Sequence, residues 1–340
     1  EAAYNALRQG LMDYERRQRY RGPEKFVALP ADAQAQEDVI DDALASHPDN
    51  GDLLAAVVLE ADPKKLVAVR ANGDTVEITG RGLQLAQRGL AAKAPPNLEI
   101  KRGSILRVMQ IEGMAKTKAG WEATQLPEVE GAFVALTPQT GAIRALVGGF
   151  DFDKNKFNHV TQAWRQPGSS FKPFIYSAAL EKGFTPATMI NDAPLFFSAG
   201  VTGGQPWEPK NYDSRYDGPM TMRTGLNKSK NMISIRLLQA VGPKQGQEGI
   251  TRFGVDAAKH PAYLTMALGA GSVTPMQLAA AYAVFANGGH RVNPWLIAKI
   301  TDYKGRVLSE YTAPPLEQLP QAIEPRNAFI MSSLLQDVAR

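Results

Sequence analysis

The hydrophobic pattern changes character along the chain, and that change limits the fold more than any other feature. In the first 20 residues Leu7, Leu11 and Tyr14 share one side at helical spacing, with charges opposite. QEDVIDDALASHP predicts a second helix that closes at Pro48. From residue 51 to 128 the apolar residues come in short bursts: LLAAVVLEA, KLVAVRANG, DTVEITG, GSILRVMQI and GWEATQLP. Turn residues such as Asp62-Pro63 and Asn72-Gly73-Asp74 separate them, as expected of strands. After Glu130 one hairpin pattern, GAFVALT and AIRALVG around Pro138-Gln139-Thr140-Gly141, gives way to helix-length segments. These are FKPFIYSAALEKG, MRTGLNKSKNMISIRLLQAVG and TPMQLAAAYAVFANGG. NPWLIAKITDYKGRVLSEY then reads as two strands turning at Lys304-Gly305, and NAFIMSSLLQDVAR as a last helix. At 340 residues the expectation is a multidomain α+β/all-β chain. A helical lead-in occupies 1–50, a small β-barrel 51–128, and a mixed domain 129–340.

Five short strands with one helix, GLQLAQRGLAAK, suggest a barrel of the OB type. Such barrels often bind oligomers, and this one serves equally well as a spacer. The hairpin strands after Glu130 are apolar on both faces, which places them at the centre of a sheet covered by helices. Asn191-Asp192 reads as a turn.

Several function classes are excluded. Net charge is only +4, and no Arg/Lys run interleaves with aromatics, so no nucleic-acid partner is expected. There is no cysteine, hence no disulfide and no thiolate metal site. The four histidines, His47, His159, His260 and His290, have no metal-ligand spacing and are read as solvated or core residues. No metal and no cofactor is expected. The cluster Arg16, Arg17, Arg19 and Arg21 reads as a solvated face. No apolar run reaches the roughly 18 residues that span a bilayer. The chain opens as if inside a helix, without a signal peptide, so the expectation is a parent protein that extends further.

The stretch RQPGSSFKPF carries the candidate chemistry. Pro173 is tolerated only near a helix start, so the helix must begin close to Ser169, after the break at Pro167-Gly168. Ser169 then sits where orphan N–H groups and the helix dipole favour a developing anion. Lys172 lies one turn on, along the same face. A serine hydroxyl needs a neighbour to take its proton, and a lysine does so only when its pKa is lowered. The second element is NKSKN, where Ser229 and Asn231 form S-x-N. In a tight turn both can face one cleft, Ser229 to relay a proton and Asn231 to hold an amide. Trp164, Trp207 and Tyr212 are candidates to line that cleft or to pack in the core. Glu181 lies too far up the helix to act as a hydrolytic base.

The order S-x-x-K then S-x-N belongs to penicillin-recognising serine enzymes. RQPGSSFKPFIYSAALEKGFTPATMINDAP, VEGAFVALTPQTGAIRALVGGFDF, WEPKNYD, LNKSKN and FANGGHRVNPWLIAKI resemble segments of class A penicillin-binding proteins, of the Gram-negative 1a type. The barrel at 51–128 resembles the OB-like insert of that type. The resemblance implies a β-lactamase-like α/β/α penicilloyl-serine transferase domain joined to the barrel. One element departs from it: K-T-G does not follow S-x-N, and Arg223-Thr224-Gly225 precedes S-x-N and opens a helix. Lys116-Thr117-Lys118 falls in the barrel. The expectation is that K-T-G and a preceding glycosyltransferase domain belong to parts of the protein outside these residues. These 340 residues alone are then expected to be inactive.

The implied reaction is D,D-transpeptidation. Ser169 attacks a stem peptide, Lys172 accepts its proton, Ser229 passes one to D-alanine, and Asn231 orients the substrate. Trp207 and Tyr212 are the implied substrate contacts. Implied partners are peptidoglycan stem peptides, the lipid-linked precursor, β-lactams as covalent inhibitors, and an outer-membrane lipoprotein activator. The implied place is the periplasm, anchored to the inner membrane through the N-terminal part. Alternatives are a D,D-carboxypeptidase, a serine β-lactamase, and a non-catalytic module centred on the barrel.

Overall fold

The computed structural model describes residues 1–111, 120–199 and 205–340. Lys116-Thr117-Lys118 lies outside the described residues. The chain divides into two compact units: Glu1–Gly131 with Phe150–Asn155, and Ala132–Gly149 with Lys156–Arg340.

The first unit holds α1 (Ala2–Glu15), β1 (Lys25–Phe26), α2 (Ala33–Ala45), β2 (Leu54–Asp62), β3 (Lys65–Arg70), β4 (Thr75–Thr79), β5 (Ser104–Ile111) and β6 (Gly120–Thr124). The strands run antiparallel in the order β1-β5-β2-β3-β4, with β6 also on β5. β6 approaches β4 as well, which curls the sheet toward a barrel. β4 alternates cleanly: Val76 and Ile78 are buried, while Thr75, Glu77 and Thr79 are exposed, as period two requires. β2 is buried on both faces. Ala56 and Val58 join Leu106 and Val108 inside the curl. Ala55 and Val57 pack with Ile40, Ala43 and Leu44 of α2. Asp32 caps α2 through the Ala35 N–H.

Residues 1–50, set apart by the sequence pattern as a lead-in, lie within this unit. β1 is hydrogen-bonded to β5, and Arg107 of β5 grips Glu24 with two bonds of 2.7 and 2.9 Å. Arg8 is buried against Asn50, Asp52 and Phe150, and Glu15 is held by Arg21 and Gln125. The segment GLQLAQRGLAAK is not the expected helix but two 3-10 turns, Gly80–Leu83 and Ala86–Arg88. Its glycines explain this. Gly82 lies so close to the Trp121 carbonyl, and Gly89 to the Leu98 carbonyl, that no Cβ fits at either.

The second unit begins with the hairpin β7 (Phe133–Leu136) and β8 (Ile143–Val147). Then follow α3 (Lys172–Glu181), β9 (Met189–Asp192), β10 (Gly218–Thr221), α4 (Met222–Asn227), α5 (Asn231–Val241), α6 (Pro243–Arg252) and α7 (Pro275–Ala286). The hairpin β11 (Lys299–Thr301) and β12 (Val307–Glu310) precedes α8 (Pro325–Ala339). The helix α3 is the hub. Phe174, Ile175, Tyr176 and Ala179 are buried in a core shared with α5, α6, α7 and α8. Among the described residues β7–β8 is a two-stranded sheet with half-buried faces, not the centre of a larger sheet that its apolar pattern predicts. The helix α7 covers β7, and Ala142 forms a parallel bridge with Trp295. Asn191-Asp192 is not a turn: it ends β9, paired with β10, and Asp192 is fully buried. No described helix is long and apolar enough to cross a membrane.

Candidate active site

The segment that carries Ser169 is built as a 3-10 turn, Gly168–Phe171, that runs directly into α3 at Lys172. Pro173 is the second helical residue, where its missing N–H leaves no gap in the ladder. In a 3-10 turn side chains three apart eclipse each other, so Ser169 and Lys172 share one side. The α-helix thus starts three residues later than the sequence suggests, and the tighter turn keeps the pairing. Ser169 is exposed, and among the described residues its hydroxyl has no hydrogen-bond partner.

The turn is clamped from the loop before α7. Arg165 and Val273 exchange two backbone hydrogen bonds of 3.0 Å. Gln166 donates to the Ala270 carbonyl, and Tyr282 of α7 donates to the Ser170 carbonyl at 2.7 Å. A Cβ on Gly269 would stand 2.2 Å from the Gly168 oxygen, so only glycine permits this backbone approach. Behind the turn Phe171 stacks on buried His260 with centroids 4.7 Å apart.

The second wall comes from the connection between α4 and α5. The Lys230 N–H bonds the Gly225 carbonyl and the Ser229 N–H the Leu226 carbonyl, the two closing bonds of a Schellman motif. Glycine usually fills the left-handed position of that motif. Here Ser229 fills it at φ +51°, at a cost of about 1–2 kcal/mol for an L-residue. The strain turns the Ser229 hydroxyl toward Lys172.

Lys172 is the junction. Its ammonium donates to the Ser229 carbonyl (2.6 Å), the Ser229 hydroxyl (3.0 Å) and Asn231 Oδ1 (2.8 Å). Its side chain is buried, and burial pulls its pKa down to about 8. All three partners are neutral oxygens, so nothing nearby restores the charge. Three of the four polar residues named from the sequence therefore meet at Lys172, and Ser169 stands exposed on the turn that leads into it.

The aromatic candidates lie elsewhere in the wall. Trp207 is half-buried, bridged to Phe197 through both backbones and stacked on its ring at 5.3 Å. Tyr212 is fully exposed beside Asn211. Trp164 is partly exposed under the Lys259 ammonium. Glu181 pairs with Arg252 at the far end of α3. Among the described residues no cluster of His, Asp or Glu is arranged to hold a metal ion.

The sequence reading missed the back of the S-x-N turn. Lys230 points away from Ser229 and Asn231 into a set of carboxylates: Asp217 at 3.1 Å, Asp192 at 3.3 Å and Asp213 at 3.7 Å. Burial opposes its charge, but Asp217 and Asp192 outweigh that and its pKa is raised. Asp217 is held below its usual range by Lys230 and Lys228. Asn211 links the two sides. It donates to Asp192 (2.8 Å) and accepts from the Asn231 N–H (2.8 Å). The only signal in the sequence was WEPKNYD, which carries Asn211 but not its partners.

A serine placed one 3-10 turn before a buried lysine of lowered pKa, faced by S-x-N, is the arrangement that serine–lysine acyl transfer would need. The chain belongs to the penicillin-binding protein transpeptidase family: residues 131–340 match the penicillin binding protein transpeptidase domain, and 20–129 the penicillin-binding protein OB-like domain. It is 44% identical to penicillin-binding protein 1A of Neisseria lactamica over 344 aligned positions, covering 100% of this chain and 42% of that protein. Against penicillin-binding protein 1A of Escherichia coli K12 it is 39% identical, covering 91% of this chain and 36% of that protein. The crystal structure of penicillin-binding protein 1A from Haemophilus influenzae superposes with a TM-score of 0.86 at 32% identity, covering 99% of this chain and 52% of that one. The chain thus spans less than half the length of these curated relatives.

Proposed function

We propose that the chain carries the D,D-transpeptidase centre of a peptidoglycan synthase. Ser169 Oγ attacks the carbonyl between the two D-alanines of a stem peptide, and terminal D-alanine leaves with a proton. An amine from a neighbouring strand then attacks the acyl-enzyme, forms the cross-link and returns the hydrogen to Ser169. The observation that carries this reading is the environment of Lys172. A buried lysine with a pKa of about 8 is partly neutral at working pH, which a base for serine requires.

The hydrogen-bond inventory supports a proton route. Charged Lys172 has three donors for three acceptors. Once neutral it has two donors and one lone pair. Of its three partners only the Ser229 hydroxyl can reverse and donate, because the Ser229 carbonyl and Asn231 Oδ1 carry no hydrogen. Ser229 is therefore the group that passes protons between Lys172 and the leaving amine. Asn231 is oriented at both ends: Oδ1 accepts from Lys172, and Nδ2 donates to the Lys210 carbonyl at 2.7 Å. One Nδ2 hydrogen remains for a substrate carbonyl. The Ser169 N–H, at the start of its turn, serves as one oxyanion donor. Exposed Tyr212 and half-buried Trp207 are assigned to the substrate groove.

On this reading β-lactams acylate Ser169. The donor and acceptor are stem peptides, built from a lipid-linked precursor in the periplasm at the inner membrane. An outer-membrane lipoprotein is the expected activator. Intact mass after incubation with benzylpenicillin tests the core claim. The full-length protein gains one equivalent, and Ser169→Ala gains none. A folded full-length protein that stays unmodified overturns the assignment.

A further inference from the structure

We propose that Asn211, backed by the buried Lys230–Asp192 pair, is a positioning residue that sets Asn231 and through it the base Lys172. The inference rests on the transpeptidase reading and names residues outside its two motifs.

The S-x-N turn is fastened from behind. Asn231 begins α5, so its N–H is one of the donors that no helical carbonyl can satisfy. Lys230, at the N-cap, gives no side-chain cap because its side chain is directed into the carboxylates. Asn211 supplies the missing acceptor from another segment. Its own amide is fixed by two acceptors, Asp192 Oδ1 at 2.8 Å and the Arg215 carbonyl at 2.7 Å. Asp192 is in turn fixed by β9, by the Asp217 N–H and by Lys230. All three members of this chain are buried: Asn211 4%, Asp192 0% and Lys230 5% exposed. Asn211 is hydrogen-bonded through both its oxygen and its amide, and Asp192 through both its oxygens, while Lys230 adds ion pairs rather than a hydrogen bond; the Asn211–Asp192 bonds link the position of β9 to the Asn231 backbone. The neighbouring Lys210 carbonyl fixes the Asn231 side chain, so residues 210 and 211 hold both its backbone and its amide.

The consequence for chemistry follows from Lys172. Burial alone accounts for its lowered pKa, with no charged group contributing, so its neutral acceptors set what remains of its proton affinity. Asn231 Oδ1 is one of them. If Asn231 is loosened, charged Lys172 loses a fixed acceptor. Its pKa falls further, and the Ser169–Lys172–Ser229 alignment degrades.

The test uses the full-length protein, with the rate of acylation by a fluorescent penicillin followed across pH 6 to 10 and thermal unfolding in parallel. Asn211→Ala is expected to slow acylation roughly tenfold to a hundredfold and to move the pH midpoint below the wild-type value. A role in stability alone would lower the melting temperature with the midpoint and the high-pH plateau unchanged, and that result overturns the proposal. Should Asn211→Ala not fold, the double variant Lys230→Met/Asp192→Asn removes the ion pair without leaving a lone buried charge. It is expected to show the same acid-ward midpoint and reduced plateau, and wild-type acylation in that folded variant also overturns the proposal. Failure of the transpeptidase reading is distinct: wild type itself would then not acylate.

Discussion

Two lysines flank one turn and are buried almost equally, Lys172 at 1% and Lys230 at 5% exposed, yet their charges have opposite fates. Lys172 faces a hydroxyl, a carbonyl and an amide oxygen, and its pKa falls to about 8. Lys230 faces three carboxylates, and its pKa is raised. Burial alone does not decide whether a lysine is a base or a structural cation. The sign of the neighbouring groups does. The turn 228–231 separates the two environments: Ser229 and Asn231 face the lysine whose pKa is lowered, and Lys230 is itself the one whose pKa is raised.

The largest effect that would break this contrast is Lys230→Met. It leaves fully buried Asp192 without its cation, and the expected loss is about 3–5 kcal/mol of stability in urea unfolding. A loss under 1 kcal/mol would mean that Lys230 is not a structural cation. Next is pH. Lys172 has a folded pKa of about 8 against an unfolded value of 10.5. Below about pH 8 both states are charged and the fold bears the whole burial penalty, on the order of 3 kcal/mol. Between about 8 and 10.5 only the unfolded chain still holds the proton, so stability from this group rises with pH by about 1.4 kcal/mol per unit. Comparison of wild type with Lys172→Met in urea at pH 8 and 9.5 isolates the term. Wild-type stability relative to Lys172→Met should rise between these two pH values, and no rise would put Lys172 with Lys230. The acylation rate of wild type should rise through the same midpoint near 8. Smallest is Ser229→Gly, which relieves the left-handed strain while the carbonyl acceptor stays. Unfolding should become harder by up to about 1 kcal/mol as acylation falls. A stability loss would show that the serine conformation is not strained.

The first unit offers a milder version of the same lesson. Its strands were legible because short Val- and Ile-rich runs are cut by turn residues, and in β4 the period-two alternation of Val76 and Ile78 is visible as well. Its misread segment, GLQLAQRGLAAK at residues 82–93, had helix-like apolar spacing. Gly82 had to meet the Trp121 carbonyl, a contact between distant residues that local spacing does not encode. The hairpin after Glu130 fails similarly, since apolar residues on two faces do not say which strands will cover them.

The sequence by itself determined the pairings of candidate site residues that depend on local geometry. Pro173 and Gly168 fix the start of a helix, so Ser169 and Lys172 share a side, and NKSKN must turn between two helices. It also excluded disulfides and thiolate ligands, because the chain has no cysteine. Only the tertiary structure decided the proton affinities. The local sequences, SSFKPF around Lys172 and NKSKN around Lys230, do not state either charge. What separates the two lysines is Asp192 on β9, Asp213 and Asp217 in the loop that leads into β10, and Asn211 between them. Coulomb interactions and desolvation act over a few ångströms of space, not along the chain, and so the charge of a buried lysine is settled only when distant segments close around it.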